Sequence, residues 1–376
     1  MKIVFTGGGT GGHFYPIIAV AEELRLIIRE RRLLDARFYY LADKPYNSRL
    51  LFENEITFKK VEAGKRRRYR SVLNFFDIFK TGWGIVKAIW RLYWIYPDLV
   101  FSKGGYVAFP TLAAARFLRI PVMIHESDSR PGRVNAWSGK FARRIAVSFP
   151  EAAVNFPAEK TAVIGNPIRR ELLQSIKQGA HEFLHLKKGL PTLFVLGGSQ
   201  GATTINAVLV DILPKLVEHF QIIHQTGEKN LADVKARVSL LLQDNPNAKR
   251  YQVFAHLNSD AMKMAAGVAT LIITRAGAGA IFETANWGVP SIIIPIPEEV
   301  SHDQRLNAFT YARSGAAVVI EQNNLTSSVL LAEINRLIAS KELTEKMRAS
   351  AKSFAKPDAG RLIAEEILKL ALKHEE

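Results

Sequence analysis

An imidazole at the end of a glycine loop is the side chain of this sequence best placed for acid–base chemistry. The run Gly7-Gly8-Gly9-Thr10-Gly11-Gly12-His13 follows the apolar stretch Ile3-Val4-Phe5. A second loop, Gly197-Gly198-Ser199-Gln200-Gly201-Ala202, follows Leu193-Phe194-Val195-Leu196. Strand, glycine loop and helix together offer backbone N–H groups and a helix N-terminus to a phosphate. An imidazole at the mouth of such a loop suits general base work near neutral pH; the plainer role is a helix cap or a bond to a neighbouring strand. In the second loop, Ser199 adds a hydroxyl for an oxyanion.

A third run, Arg275-Ala276-Gly277-Ala278-Gly279-Ala280-Ile281-Phe282-Glu283, combines small residues with a carboxylate one turn into a helix. Small residues let a ligand lie against the helix start, and Glu283 can accept two hydroxyls of a ribose or hexose. Its other use is as a partner for the helix dipole. Gln304 and Asn307, three apart, share a helix face. His181-Glu182-Phe183-Leu184-His185 matches the zinc-protease spacing. It sits in a charged segment away from the loops, with no third ligand nearby, so it is read as ordinary packing through Leu184 and Leu186.

The elements that position these groups alternate. Helical patterns follow both loops, with Ile17, Val20, Ala21, Leu24 and Ile28 in the first and Ile205, Val208, Leu209, Ile212 and Leu216 in the second. Strands are predicted near 2–6, 36–42, 57–61, 98–102, 121–126, 143–149 and 160–164, then near 192–197, 220–225, 251–255, 269–274, 290–295 and 316–320. Runs such as Leu271-Ile272-Ile273 suit strands buried on both faces. Such alternation means parallel sheets with right-handed crossovers. The expectation is an α/β chain of two Rossmann-like domains facing across a cleft: 1–165, 166–345, and C-terminal helices over 346–376 packing back toward the first.

The net charge of +16 over 376 residues is uneven. Residues 1–165 carry 27 Lys and Arg against 14 Asp and Glu, while 166–376 carry 24 against 21. A basic half calls for an anionic partner. Lys65-Arg66-Arg67-Arg68-Tyr69-Arg70 precedes an amphipathic stretch holding Trp83, Trp90 and Trp94 among Lys80, Lys87 and Arg91. Tryptophans beside a basic cluster describe a surface resting in an anionic lipid interface; no nucleic-acid module accompanies the charge. No run reaches the about 18 apolar residues of a membrane span, and the opening apolar run is too short for a signal peptide. Without cysteine there are no disulfides and no thiolate chemistry.

Taken in order, several runs resemble the MurG family, peripheral inverting glycosyltransferases of the GT-B fold that make lipid II in peptidoglycan synthesis. They are Gly8 to His13, Lys103-Gly104-Gly105-Tyr106-Val107, His125-Glu126, Gly165-Asn166-Pro167-Ile168-Arg169, Gly197 to Ala202, Arg275 to Ala278 with Glu283, and Gln304 with Asn307. The resemblance implies that UDP-N-acetylglucosamine is held by Gly198, Ser199 and Gln200 at the diphosphate, Glu283 at the ribose, and Gln304 and Asn307 at the sugar. Arg169 approaches from the linker. Arg275, Ala278, Gly279, Ala280 and Asp128 complete the donor set, and Thr10, Gly11 and Gly12 close on it from the first domain.

The implied acceptor is lipid I, its diphosphate met by the basic first domain with Gly104, Gly105 and Tyr106. Its polyprenyl tail stays in the membrane beneath Arg66, Arg67, Arg68, Trp83, Trp90 and Trp94, on the cytoplasmic face. The acceptor 4-hydroxyl attacks the anomeric carbon, with His13 favoured as base and Glu126 and Asp128 as the other candidates. No cofactor is required: helix N-termini and hydrogen-bond donors balance the departing UDP, and there is no Asp-x-Asp run.

Three positions depart from the family pattern. Ser127-Asp128 replaces the usual Gln-Asn, exchanging an amide donor for a carboxylate, and Ala280 stands where Ser or Thr is common. The rival readings are another GT-B enzyme, such as a glycolipid synthase or an epimerase, a lipid-binding scaffold, and an NAD-dependent oxidoreductase. Gly7-x-Gly9-x-x-Gly12 also fits the dinucleotide fingerprint, but Asp43 lies 31 residues past Gly12, where about 20 are expected.

Overall fold

The structure, a computed structural model, describes residues 1–33, 36–64, 73–197, 202–299 and 302–372. The chain divides into two units, Met1–Arg169 with Lys356–Glu376, and Arg170–Ala355.

Among the described residues, the first unit holds seven parallel strands. They are β1 (Lys2–Thr6), β2 (Arg37–Ala42), β3 (Ile56–Lys60), β4 (Leu99–Ser102), β5 (Val122–Glu126), β6 (Arg144–Val147) and β7 (Thr161–Val163), in the order β3-β2-β1-β4-β5-β6-β7. The second unit holds six, β8 (Thr192–Leu196), β9 (Gln221–Gln225), β10 (Tyr251–Phe254), β11 (Leu271–Thr274), β12 (Ser291–Ile293) and β13 (Ala317–Val319), in the order β10-β9-β8-β11-β12-β13. Ile3, Val4 and Phe5 on β1 and Ile272 and Ile273 on β11 are wholly buried, as continuous apolar strands must be when helices cover both faces. In each sheet the order reverses between two central strands, β1 and β4 in one and β8 and β11 in the other. Ligands of open parallel sheets bind outside the carboxyl ends of strands at such a reversal.

The C-terminal helices divide otherwise than the sequence suggests. The Lys341–Phe354 helix belongs to the second unit, where Phe354 meets Tyr311 and Phe282 with ring centroids 4.9 and 5.3 Å apart. Its buried Met347 and Ala351 leave no apolar stripe for another surface. Only the Ala359–Leu372 helix joins the first unit. It buries Ile363, Ala364, Ile367, Leu368 and Ala371 in the core shared with the Gly11–Glu30 helix, and Arg361 pairs with Glu30 at 2.8 Å.

The Leu73–Ile95 helix turns Gly84, Ala88, Leu92 and Ile95 inward. Gly84 lies so close to the preceding loop that a methyl group there would sit 1.9 Å from the Glu62 carbonyl oxygen. Thr81 Oγ1 accepts from Gly64 N at 3.1 Å, and Lys87 pairs with Glu62 at 2.8 Å. Gly84→Ala therefore has to push the helix outward; we expect a loss of about 2 kcal/mol of stability, as in other overpacked sites, read as a lower denaturation midpoint.

Candidate functional site

In the first unit, loops from the carboxyl ends of β1, β4, β5 and β7 bring the sequence-predicted residues together. The loop after β1 needs its glycines for different reasons. Gly7 has φ +141°, and a Cβ there would lie 2.9 Å from Lys103 Cβ. Gly11 is crowded by Tyr15 and Tyr46, each 3.0 Å from an added Cβ, and a Cβ on Gly9 would meet Tyr106 at 3.4 Å. Thr10 and Gly12 are exposed. Tyr40, buried under this loop, donates its hydroxyl to the Gly7 carbonyl. Arg169, the last residue of this part of the unit, lays its guanidinium 4.8 Å from the centre of the Tyr15 ring.

His13 opens the Gly11–Glu30 helix, its Nδ1 hydrogen-bonded to Thr10 Oγ1 at 3.1 Å. The other edge of the ring faces Gly105: a side chain there would stand 3.6 Å from Nε2. Gly104 and Gly105 both have left-handed backbones, φ +76° and +77°, which favour glycine; Gly105 faces the imidazole, while Gly104 lies against Asn135. Burial, and then the charge of Lys103, draws the His13 pKa down to about 4. The imidazole is neutral at physiological pH and can accept a proton.

Glu126, at the end of β5, is buried, and both of its oxygens are engaged. Oε1 accepts from Asp128 N at 3.1 Å; Oε2 accepts from Gly132 N at 3.0 Å and from Asn135 Nδ2 at 2.9 Å. This geometry makes Glu126 the clamp of its own loop. Burial, then the neighbouring Asp128, pushes its pKa up to about 7.

Sequence reasoning missed the group beneath these loops. Lys103 is 1% exposed. Its Nζ donates to His125 Nδ1, to Ser127 Oγ at 2.5 Å and to Asn166 Oδ1 at 3.5 Å. His125 Nε2 bonds the Gly165 carbonyl at 2.9 Å, so that nitrogen carries the proton and Nδ1 is the acceptor. The cue in the sequence was position, since Lys103 follows directly on an apolar strand.

In the second unit, Arg275 follows β11 and donates to the carbonyls of Ile294 and Pro295 at 3.3 and 3.5 Å; burial draws its pKa down to about 10. Ala278, Gly279, Ala280 and Glu283 lie on the Ala278–Trp287 helix that follows. A methyl group added at Gly277 or Gly279 would meet no described protein atom within 4 Å, so neighbouring side chains do not account for their smallness. Gln304 accepts from Ile296 N at 3.3 Å, and buried Asn307 donates to the Ala276 carbonyl at 3.3 Å. Both amides brace the loops that follow β11 and β12. Gly198, Ser199, Gln200, Arg66, Arg67 and Arg68 lie outside the described residues.

Residues 3–147 match the glycosyltransferase family 28 N-terminal domain and residues 192–362 the glycosyltransferase family 28 C-terminal domain. Curated relatives from Treponema denticola and Halothermothrix orenii are 37% and 36% identical, covering 85% and 95% of this chain and 83% and 95% of their own lengths. Both are named UDP-N-acetylglucosamine–N-acetylmuramyl-(pentapeptide) pyrophosphoryl-undecaprenol N-acetylglucosamine transferase. The crystal structure of Acinetobacter baumannii MurG superposes with a TM-score of 0.75 at 28% identity, over 98% of this chain and 99% of that one. A UDP-N-acetylglucosamine 2-epimerase from Neisseria meningitidis, at 15% identity and a TM-score of 0.69, shares the fold alone. With two parallel sheets, each reversing its strand order at a glycine loop, and with both of its halves matched, this chain belongs to glycosyltransferase family 28.

Proposed function

We propose that this chain transfers N-acetylglucosamine from UDP-N-acetylglucosamine to the muramyl 4-hydroxyl of the undecaprenyl-diphosphate-linked muramyl pentapeptide, giving lipid II. The observation that carries the reading is the placement of the His13 imidazole, its Nε2 edge facing Gly105 at the reversal of the first sheet, in a chain of this family. The acceptor oxygen bonds to the anomeric carbon as the bond to the UDP oxygen breaks, inverting the centre, and the hydroxyl proton passes to His13. Arg275 and the N-terminus of the Ala278–Trp287 helix meet the charge of the departing UDP, and the reaction runs without a metal. Glu283 takes the ribose, while Glu126 holds the Asp128 loop in place.

Labelled N-acetylglucosamine supplied as its UDP derivative should appear on lipid I in detergent micelles, in the presence of chelator. No product from folded protein that binds UDP-N-acetylglucosamine would reject the reading.

The acceptor is met at a membrane surface, on its cytoplasmic face. No helix among the described residues is long and apolar enough to cross a bilayer. The Leu73–Ile95 helix instead exposes Phe79, Trp83, Val86, Trp90, Tyr93 and Trp94, and Lys80 and Arg91 lie on the same solvent side. Trp83, Trp90 and Trp94 are 59%, 62% and 67% exposed, an apolar strip that lipid would cover. Replacing Trp90 and Trp94 together with alanine should weaken sedimentation with anionic vesicles about thirtyfold. Undiminished binding at low salt would place the contact elsewhere.

A further inference from the structure

In the second unit a buried polar chain runs from β10 to the helix that follows the second glycine loop, and His224 on β9 is its middle member. We propose that His224 is a positioning residue for the UDP half of the donor: through Asn206 it fixes the first turn of the Thr203–His219 helix, which leads out of the loop read as the diphosphate site. The proposal rests on that donor reading.

The neighbours of the ring assign its protons. Asn206 Nδ2 donates to the Thr226 carbonyl at 3.1 Å, which leaves Oδ1 turned to His224 Nε2 at 3.0 Å. Only a protonated Nε2 can meet that oxygen, so Nδ1 is the acceptor and receives the Tyr251 hydroxyl at 2.7 Å. Burial draws the His224 pKa down to about 3, and the ring stays neutral in this one tautomer. A neutral imidazole accepts on one edge and donates on the other, with a rigid ring between them.

The same helix start is held a second time. Thr203, its first residue, donates to Asn230 Oδ1 at 3.2 Å, and Asn230 Nδ2 donates to the Thr226 carbonyl at 3.0 Å. That carbonyl thus receives one amide from the Thr203–His219 helix and one from the Glu228–Leu241 helix. Ahead of the glycine loop, Gly197 N donates to the Gln225 carbonyl at 3.1 Å. The chain on either side of the second glycine loop is therefore anchored on consecutive residues, His224, Gln225 and Thr226. Satisfied polar chains of this kind fix position more than they add stability.

Two variants of similar cost in stability separate positioning from packing. Tyr251→Phe removes the outer bond and leaves His224 on Asn206. His224→Phe keeps a ring in the core and releases Asn206. Each leaves a buried polar group without a partner, and each is expected to lower the melting temperature by about 5 °C. Only His224→Phe should weaken UDP binding, about tenfold by calorimetry, and raise the KM for UDP-N-acetylglucosamine by a similar factor, the worth of one hydrogen bond. Tyr251→Phe should stay within about twofold of wild type in both, and neither variant should alter the KM for lipid I. Equal UDP affinity in the two variants, whether kept or lost, overturns the proposal.

Should His224→Phe fail to fold, Asn206→Ala takes its place, since it leaves the ring in the core and cuts the same link; native UDP affinity in that variant overturns the proposal. Binding of UDP needs neither acceptor nor turnover. A wild type that binds UDP without transferring sugar would defeat the reaction and leave the comparison to decide the role of His224, whereas a wild type that binds no UDP would overturn both.

Discussion

Replacing His13 with alanine is expected to lower kcat/KM for N-acetylglucosamine transfer about a thousandfold, the usual worth of a positioned general base, while leaving UDP-N-acetylglucosamine binding nearly unchanged. The reasoning is local. The Nε2 edge of the ring faces the bare backbone of Gly105, the other nitrogen is held by Thr10, and burial together with Lys103 lowers the pKa to about 4. A base works when deprotonated, so a lowered pKa extends activity toward acid. For wild-type protein kcat/KM should hold through pH 6 and fall only as pH approaches about 4. Glu126, with its pKa pushed up to about 7 by burial and by Asp128, would give an acidic limb near neutrality. A wild-type profile breaking near pH 7, together with an active His13→Ala protein, would transfer the role to the carboxylate.

The second large effect is expected at Gly104. Its backbone has φ +76°, and a Cβ would sit 2.6 Å from Asn135 Oδ1 and 2.7 Å from both Asn135 Cγ and Nδ2. Gly104→Ala thus carries the cost of a left-handed alanine and that of an overpacked site, about 2–4 kcal/mol together. The displaced side chain is the one whose amide holds both the His125 carbonyl, at 3.1 Å, and Glu126 Oε2, at 2.9 Å. The strain therefore passes directly into the Glu126 loop. A shift of an ångström in positioned groups can cost a hundredfold in rate, and about that loss in kcat/KM is the expected result, with a lower denaturation midpoint. A protein of native stability and native rate would show that Asn135 moves aside without dragging its loop.

The fold was legible because both sheets are parallel and buried. Runs such as Leu193-Phe194-Val195-Leu196 and Leu271-Ile272-Ile273 appear as β8 and β11, and each strand end lies within two residues of its predicted place. The glycine loops announced the two points where strand order reverses. Less visible was how polar groups are used once buried. Lys103 has the composition of a surface residue, and only the assembly of the loops after β4, β5 and β7 gives its ammonium three acceptors. On sequence Glu126 reads as a candidate base and Asn307 as a sugar contact; what the sequence does not show is that the folded chain also engages both in backbone hydrogen bonds. No local pattern distinguishes an amide turned to a neighbouring carbonyl from one turned to a sugar. The helix at Lys341–Phe354 went to the wrong unit for a similar reason: its apolar stripe fits any apolar groove, and Phe282 and Tyr311 supply it.

The Ala359–Leu372 helix, which completes the core of the first unit, also has a consequence for biosynthesis. A ribosome delivers residues in order, at roughly 5–20 per second. Nearly two hundred residues separate Arg169 from the start of this helix, so the nascent first unit waits roughly 10–40 s for its last element. During that interval Ile17, Leu24 and Ile28 lack the cover of Ile363, Ile367 and Leu368. The second unit is contiguous in the chain and suffers no such delay. The half of the protein translated first is therefore the half finished last, and its exposed helix face is a natural client for a chaperone during synthesis.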